Sequence, residues 1–284
     1  MLKATALAEN RDGHGLLGEH GLSVYIEYGS TKLLLDAGTT ELFADHAKAL
    51  GIHLENVDIA VLSHAHYDHS GGFERFFREN SKAGLWLRES CKENCYRQSS
   101  KGMKYIGIPR GFLETYRERL HFIREDTALA PGIWSIGHHM DHMAEKGQRA
   151  KMYRQENGEW KFDDFSHEQS LVFETDRGLV IFNSCCHGGP GDIIRETGAR
   201  PCLGNRPVYA LVGGFHLKDI MRDPSMNGEE KRQKIHMLGR DLLDSGCARF
   251  YTGHCTGDEA FECLKEVLGD RLYYFGTGDC IEFQ

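Results

Sequence analysis

Four side chains that can bind metal ions lie within six consecutive residues, His64, His66, Asp68 and His69, after the apolar run Val57–Leu62. Neutral imidazole and carboxylate are good ligands for zinc, iron and manganese. In an extended backbone the first two histidines point to the same side and can hold one ion. The aspartate and the third histidine, at the turn into a following helix, can face a second ion. The spacing therefore predicts a site for one or two metal ions.

Three further histidines each follow a short apolar run that favours a buried strand. His187, His216 and His254 lie in loops that also contain glycine. Ligands of open α/β sheets bind beyond the carboxyl ends of the strands, so these loops and the His64 loop are expected to converge on one point. The apolar runs are Gly178–Phe182, Val208–Val212 and Ala248–Tyr251.

Two segments resemble motifs of the metallo-β-lactamase superfamily. Ser63–Gly72, which reads Ser-His-Ala-His-Tyr-Asp-His-Ser-Gly-Gly, looks like its metal-binding motif, and Leu34–Gly38 resembles its upstream Asp-x-Gly motif. The resemblance implies that Asp36 supports the metal loop by contacting a ligand and not the metal. It also implies an α/β fold, a four-layer αββα sandwich of two mixed sheets covered by helices on their outer faces.

The same resemblance implies later histidine ligands on loops. We expect His187 to join the ligands of the first ion, and His254 those of the second. His216 is expected to act as a general acid or base or to contact the substrate, because an unperturbed imidazole titrates near neutral pH. Binding a metal ion is an alternative role for His216. Asp68 is expected to serve both as a ligand and as a catalytic residue.

A narrower resemblance is to the subgroup of 7,8-dihydropterin-6-methyl-4-(β-D-ribofuranosyl)aminobenzene-5'-phosphate synthase-like proteins. One departure concerns the aspartate that bridges two metals in many hydrolases of the superfamily. Its place falls near Ser184 or Cys185, where this chain has no carboxylate. Water or hydroxide, a cysteine or the substrate would then bridge the ions. The segments that carry the subgroup resemblance are His20–Ser23, Ile108–Arg110, Cys186–Gly189, Gly213–Leu217 and Gly253–Gly257.

The cysteines give a weaker signal than the histidines. The chain has 16 His and 9 Cys, and the odd number and irregular spacing of the cysteines favour free thiols or metal ligands in a reducing cytoplasm. Cys185, Cys186 and Cys255 border the expected site. A thiolate would suit zinc, but we expect these residues to be small buried filler.

No linker or internal repeat divides the chain, so we expect one domain over residues 1–284. The stretch from about 74 to 165 is richer in Arg, Lys and Glu and poorer in strand signals, and is interpreted as an insertion of mixed helices and loops over the site. Arg110, in a turn of this insertion, is a candidate to bind an anionic group of the substrate. A surface arginine is the alternative.

Charge and hydropathy argue against a nucleic-acid-binding protein, a membrane-spanning protein and a secreted protein. The chain has 34 Lys and Arg against 42 Asp and Glu, a net charge of −8, which disfavours nucleic-acid binding through phosphate contacts. No apolar run is long enough to span a bilayer, and residues 1–10 lack the apolar core of a secretory signal. We therefore expect a cytoplasmic protein whose partner is a small molecule, which can be anionic. The oligomeric state stays open.

These features favour a metal-dependent hydrolase with one or two Zn²⁺ ions, with iron or manganese as alternatives. A metal-bound hydroxide would attack an ester, lactone, thioester or phosphoester, and His216 would protonate the leaving group. The subgroup resemblance implies a second hypothesis, a carbon–nitrogen bond-forming transferase of the dihydropterin synthase-like type. A third is a protein that senses a metal or ligand without catalysis.

Overall fold

The computed structural model describes residues 1–284, which form 18 β-strands and nine α-helices. The strands are β1 Leu2–Ala8, β2 Ser23–Tyr28, β3 Thr31–Leu35, β4 Ile59–Val61, β5 Gly84–Arg88, β6 Cys95–Ser99, β7 Gly102–Tyr105, β8 Leu120–Ile123, β9 Thr127–Ala130, β10 Ile133–Gly137, β11 Met152–Glu156, β12 Glu159–Phe162, β13 Gln169–Thr175, β14 Gly178–Phe182, β15 Val208–Val212, β16 Arg249–Thr252, β17 Leu272–Tyr274 and β18 Cys280–Phe283. The helices are α1 Leu42–Ala49, α2 Tyr67–Ser70, α3 Phe73–Glu79, α4 Phe112–Thr115, α5 Met143–Ala150, α6 Pro190–Gly198, α7 Lys218–Arg222, α8 Gly228–Asp244 and α9 Asp258–Leu268.

Two mixed seven-stranded sheets form the centre of the molecule. The first has the order β18-β1-β2-β3-β4-β5-β8, and the second has the order β17-β16-β15-β14-β13-β10-β9. Strands β3, β4, β5 and β8 run parallel in the first sheet, as do β14, β15, β16 and β17 in the second. The remaining strands of both sheets pair antiparallel, for example β1 with β2 and β13 with β14.

The molecule has four layers, two sheets and the helices on their outer faces, and a buried hydrophobic cluster lies between each pair of adjacent layers. The middle cluster packs Leu35 and Val61 of the first sheet with Phe173 and Phe182 of the second. A second cluster lies under α1 and α3, and a third under α6, α8 and α9. Strand β14 is buried along its whole length, as expected for a parallel strand covered on both faces. The predicted αββα sandwich is therefore confirmed.

The stretch from 74 to 165 differs from the predicted mixture of helices and loops. Strands β5 and β8 extend the first sheet, β9 and β10 extend the second, and β6, β7, β11 and β12 form a separate four-stranded sheet. The small sheet lies at the surface: β12 is exposed at every residue, and β7 at three of four. The four strands of the small sheet are only four or five residues long, and segments so short give a weak periodicity signal in sequence, which explains the error.

The strands that precede the site loops lie close to the positions predicted from the sequence. Strands β14 and β15 have the predicted bounds, and β4 and β16 differ from the predicted runs by one or two residues at each end. Strand β1, which sequence reasoning did not assign, lies in the first sheet between β2 and β18. None of the helices has the length and apolar character needed to cross a bilayer.

Candidate metal centre

The loops after β4, β14, β15 and β16 meet at one edge of the two sheets, where they enclose a cavity of about 170 Å³. Its lining includes five of the predicted site residues, and His64 and His69 are fully buried beside it. The His64 ring centroid lies 4.2 Å from that of His69 and 4.8 Å from that of His187. The structure thus brings together all the predicted ligands and His216. The five in the lining are His66, Asp68, His187, His216 and His254.

A hydrogen-bond network around Asp36 fixes the orientation of two of the histidines. Asp36 Oδ1 accepts from the Ser63 backbone N–H at 2.7 Å, and its Oδ2 accepts from Ser63 Oγ at 2.7 Å and from His69 Nδ1 at 2.8 Å. An ionised carboxylate only accepts, so the His69 proton is on Nδ1 and Nε2 keeps a lone pair. The hydroxyl proton of Ser63 is used on Asp36, so His64 Nδ1 donates to Ser63 Oγ at 2.8 Å. Asp36 therefore occupies the supporting position that the resemblance implied.

Two further histidines form hydrogen bonds through Nδ1 to side chains that the sequence analysis did not single out. Glu168 Oε1 accepts from His187 Nδ1 at 2.7 Å, and Asn10 Oδ1 accepts from His254 Nδ1 at 2.9 Å. Burial raises the pKa of Glu168, but the charge and hydrogen bonds of His187 outweigh it and lower the pKa to about 2. The available sequence signal for Glu168 was its place directly before β13, whereas nothing local marks Asn10.

These contacts leave buried imidazole nitrogens without partners. The Nε2 atoms of His64, His66, His187 and His254 are buried and make no hydrogen bond. Unpaired buried polar atoms are costly and rare, and neutral imidazole nitrogens are good metal ligands. Burial lowers the pKa values of these four rings, which favours the neutral form that a metal requires. The donor set therefore fits a metal ion.

The donors divide into groups that differ in part from the predicted sets. His64 and His187 group with Cys185, and His69 and His254 group with the same Cys185, with all donor atoms of a group within 4.8 Å of one another. Asp68 approaches the second set, since its Oδ2 lies 3.6 Å from His254 Nε2. It also lies 3.3 Å from the Nε2 of His20, a residue with no predicted role as a donor.

His66, predicted to share the first ion with His64 and His187, lies at the border of a further buried group. Its ring centroid is 4.6 Å from that of His64, but its donor groups with Cys95, Asp163 and His167. In that group His167 Nε2 donates to Asp163 at 3.1 Å, and its Nδ1 accepts from the backbone N–H of the metal loop at 3.2 Å. His167 thus supports the loop that carries His66.

His216 is placed to hold a proton at the cavity. Its Nε2 donates to Asp219 at 3.2 Å, and Asp219 is in turn paired with Arg97 at 2.5 Å. Burial lowers the pKa of His216, but the hydrogen bond to Asp219 and the neighbouring Cys255 outweigh it and raise the pKa to about 10. Its Nδ1 is buried and has no hydrogen-bond partner. The ring can therefore carry a proton at neutral pH, as a general acid must.

Several site residues adopt a backbone conformation that L-amino acids seldom adopt. Asp36, Cys186, His216 and His254 have φ values of 60°, 48°, 51° and 48°. Left-handed backbone at a residue other than glycine is strained by about 1–3 kcal/mol and persists only where the surroundings impose it. Four of the nine such residues of the chain lie in or beside this cavity, which supports it as the candidate functional site.

Positive side chains surround the cavity mouth, but the predicted Arg110 is not among them. Lys104, Lys218 and Arg222 line the cavity, and none of them has a carboxylate partner. Arg110 lies outside the lining, where its guanidinium donates to the Tyr96 hydroxyl at 2.8 Å. Arg110 therefore lies away from the cavity for which it was predicted, and the unpaired cations of the lining are other residues.

Comparison with known proteins supports the resemblance to the superfamily. Residues 17–148 match the family model of the metallo-beta-lactamase superfamily. The chain is 27% identical over 299 residues to the 7,8-dihydropterin-6-methyl-4-(beta-D-ribofuranosyl)-aminobenzene-5'-phosphate synthase of Methanocaldococcus jannaschii, covering 99% of this chain and 97% of that protein. The resemblance proposed from the motifs is confirmed.

Solved structures are similar over the full length. Tm1679, a metal-dependent hydrolase of the beta-lactamase superfamily, superimposes with a TM-score of 0.78 at 24% identity and covers 100% of both chains. A diphosphatase from the PhnP family has a TM-score of 0.54 at 14% identity, over 100% of this chain and 98% of its own. At these identities the structural likeness establishes the fold.

Proposed function

This chain has the metallo-β-lactamase fold, and on that premise we propose that it is a metal-dependent enzyme that acts on a small phosphorylated molecule. The reaction we propose is formation of a carbon–nitrogen bond with release of diphosphate. Hydrolysis of a phosphoester is the second candidate, because two sets of imidazole donors facing one cavity also suit activation of water.

The observation that carries the proposal is the pairing of two features in one cavity. Three of the four histidines with buried, unpartnered Nε2 atoms line it, and so do three cations without carboxylate partners. In a chain of net charge −8, unpaired cations at one cavity favour an anionic ligand held by charge. Phosphate and diphosphate groups match both features, since they bind to cations and to metals.

The chain's own residues would bind, orient and protonate. Lys104, Lys218 and Arg222 would hold the phosphate groups, and His216 would donate a proton to an oxygen of the departing diphosphate. Asp36 and Glu168 would keep the imidazole nitrogens aimed at the cavity. A bound metal ion would supply positive charge that stabilises the leaving group.

The transferase is favoured by the relative that matches almost the whole chain, a protein named as a synthase of a dihydropterin joined to an aminobenzene. In such a reaction the arylamine nitrogen forms a bond to the pterin methylene carbon. The bond between that carbon and the diphosphate oxygen breaks, and the nitrogen loses a proton. Atoms and charge balance without a further reactant.

The test is to incubate metal-loaded protein with a 7,8-dihydropterin methyl diphosphate, with and without an arylamine. We expect diphosphate release that requires the amine, and a coupled product detectable by mass spectrometry. Equal release without the amine would replace the transferase by the hydrolase. Failure to turn over this substrate or simple phosphoesters in either condition would overturn both.

A pair of lysine variants tests the charge argument. Lys218→Gln should raise KM for the diphosphate substrate, because a cation of the cavity is lost. The matched control is Lys234→Gln on the outer helix α8, a residue that is exposed and lies outside the cavity. An equal KM for the two variants would contradict the assignment of the cavity as the phosphate site.

A further inference from the structure

We infer that a groove beside the metal cavity binds the amino-substituted heterocycle of the diphosphate substrate, and that Glu259 accepts hydrogen bonds from the amino edge of that ring. The inference rests on the substrate of the proposed function. It adds a second binding position to the site, outside the metal centre, and a residue that selects between heterocycles.

The size of the metal cavity indicates that the substrate extends beyond it. The cavity has a volume of about 170 Å³, whereas sites that enclose a small organic ligand usually measure about 300–1,000 Å³. A second cavity of about 400 Å³, which we term the α9 groove, shares Lys218, Arg222 and His254 with the first. A ring attached to a diphosphate at the metal centre therefore has room in the α9 groove.

The shared cations indicate how the substrate lies across the two cavities. Lys218 and Arg222 are the residues proposed to hold the diphosphate, and both also line the α9 groove. The Lys218 side chain passes close to Gly257, since a Cβ atom added to this glycine would lie 2.9 Å from Lys218 Cγ. Gly257 directly precedes α9, and Glu259 is the second residue of that helix. A diphosphate held by Lys218 therefore places the remainder of the substrate beside the first turn of α9.

Glu259 is the carboxylate of the groove that is available to a ligand. It lines the groove without an ion-pair or hydrogen-bond partner, whereas the neighbouring Asp258 is paired with Arg11 at 2.8 Å. An ionised carboxylate only accepts hydrogen bonds, and its two oxygens can accept from two adjacent N–H groups at once. A pterin ring presents such a pair in its 2-amino group and N3–H. A groove with free cations and a free carboxylate thus suits a ligand that combines a diphosphate with this edge.

The wall of the groove offers a flat surface to the ring. The Arg11 guanidinium lies over the Tyr274 ring, 3.6 Å from its centroid, and its Nε donates to Asp258 at 3.0 Å. Both side chains line the groove. A guanidinium fixed by an aromatic ring and a carboxylate is planar and pre-organised, and it stacks on aromatic faces. The groove therefore provides a stacking surface as well as a hydrogen-bond acceptor for a planar heterocycle.

The experiment measures binding of 6-hydroxymethylpterin, a fluorescent probe, to the metal-loaded full chain in the presence of inorganic diphosphate. Glu259→Gln should bind the probe about 10- to 100-fold more weakly than the wild type, as expected for the loss of hydrogen bonds to a charged group. The matched control is Glu262→Gln on the same helix, an exposed residue outside the groove, which should bind the probe as the wild type does.

Thermal unfolding of both variants belongs to the same experiment. Glu259 lies in the first turn of α9, where a negative charge also stabilises the helix. Weaker probe binding by Glu259→Gln at an unchanged melting temperature supports recognition of the ligand. Weaker binding that appears equally in Glu262→Gln would assign the effect to the helix and contradict the inference.

A second probe tests recognition of the amino edge itself. In the 2-oxo analogue a carbonyl replaces the amino group, so an acceptor faces Glu259 in place of a donor. The wild type should bind this analogue at least about 10-fold more weakly than the pterin, and Glu259→Gln should lose the preference. Arg11→Lys, which keeps the charge and removes the planar surface, should weaken binding of both probes by the same factor. A preference of equal size in the wild type and Glu259→Gln would overturn the role of Glu259.

The outcomes separate this inference from the proposed function. If the wild type does not bind the pterin probe, or if Glu259→Gln binds it equally well, the inference is wrong, and amine-dependent release of diphosphate would still support the transferase. Binding of the probe that depends on Glu259, without turnover of the diphosphate substrate, would support the groove and overturn the reaction.

Discussion

At each of four metal-facing histidines, a second side chain decides which ring nitrogen points into the cavity. Asp36 does so for His69, Glu168 for His187, and Asn10 for His254. Ser63 Oγ donates to Asp36 and accepts from His64 Nδ1, so Asp36 also determines the tautomer of His64. Such partners set the tautomer and basicity of a ligand, and their loss typically costs about 10- to 100-fold in metal affinity.

Glu168→Gln should therefore weaken metal binding by about 10- to 100-fold, because the neutral amide no longer stabilises the proton on His187 Nδ1. Competition with a coloured chelator gives the dissociation constant. Glu159→Gln, on the fully exposed strand β12, is the control and should leave the constant unchanged. Equal constants for the two variants would show that Glu168 does not tune the ligand.

His216→Ala should keep its metal and lose turnover by about 10²- to 10⁴-fold, the usual contribution of a general acid. A general acid must be protonated, so the wild-type rate should fall as pH rises through the pKa of His216. The variant should lose that alkaline decline. Metal analysis beside the pH profile separates the roles, since loss of metal from the variant would identify His216 as a ligand.

The candidate donors could be picked out in the sequence because four of them fall within six residues, and the structure places these four close together. Their supporting residues could not, with the exception of Asp36. Asn10 and His254 are 244 residues apart and meet only through the fold. The basic residues of the cavity were missed for the same reason, and Arg110 was preferred because its turn could be read locally.

At the scale of elements, the site depends on how closely the strand-end loops pack against each other. Gly213 follows β15, has a φ of 140°, and faces the loop that carries Cys185 and His187. A Cβ atom at this position would lie 1.9 Å from the Asn183 carbonyl oxygen. Only glycine allows the two loops to approach so closely.

Gly213→Ala should destabilise the fold by about 1–3 kcal/mol and weaken metal binding, because the displaced backbone carries the metal donors. Denaturant unfolding and metal titration measure the two effects. Gly228→Ala, at the start of α8 with no atom near the added methyl, should stay within about 0.5 kcal/mol of the wild type. Similar stability for the two variants would refute the close-packing argument.

The strands next to the site could be predicted because they are buried on both faces and apolar throughout, as in β14. The strands between 74 and 165 could not, because their pairing is decided by distant partners. For example, Cys95 at the start of β6 pairs with Arg154 of β11. The pairing of strands that lie so far apart in the chain leaves little trace in a single sequence.

At the scale of the molecule, the buried histidines make stability depend on pH. Burial, reinforced by neighbouring rings, lowers the pKa values of His64, His66 and His254 well below 6.5. The unfolded chain then binds more protons than the folded chain below about pH 6.5, so stability falls as the pH falls. His216 acts in the opposite sense, since its raised pKa gives stability that is lost between about pH 6.5 and 10.

Metal-free protein should therefore be most stable near neutral pH, with a melting temperature that decreases on the acid side. Thermal unfolding of chelator-treated protein from about pH 5 to 8 measures this. His66→Asn should flatten the acid decline, whereas the exposed His53→Asn should not. An acid decline of the same size in both variants would assign the effect to other groups.

The contacts that hold the site also have a kinetic consequence, because they join residues from the two ends of the chain. Glu9 contacts the His254 backbone and Thr277, at sequence separations of 245 and 268 residues. Contacts of such long range form slowly, since the loops they close must lose their entropy first. Both sheets must be assembled before any ion finds its ligands. In a refolding experiment, the colour of bound cobalt should therefore appear last, after the recovery of secondary structure.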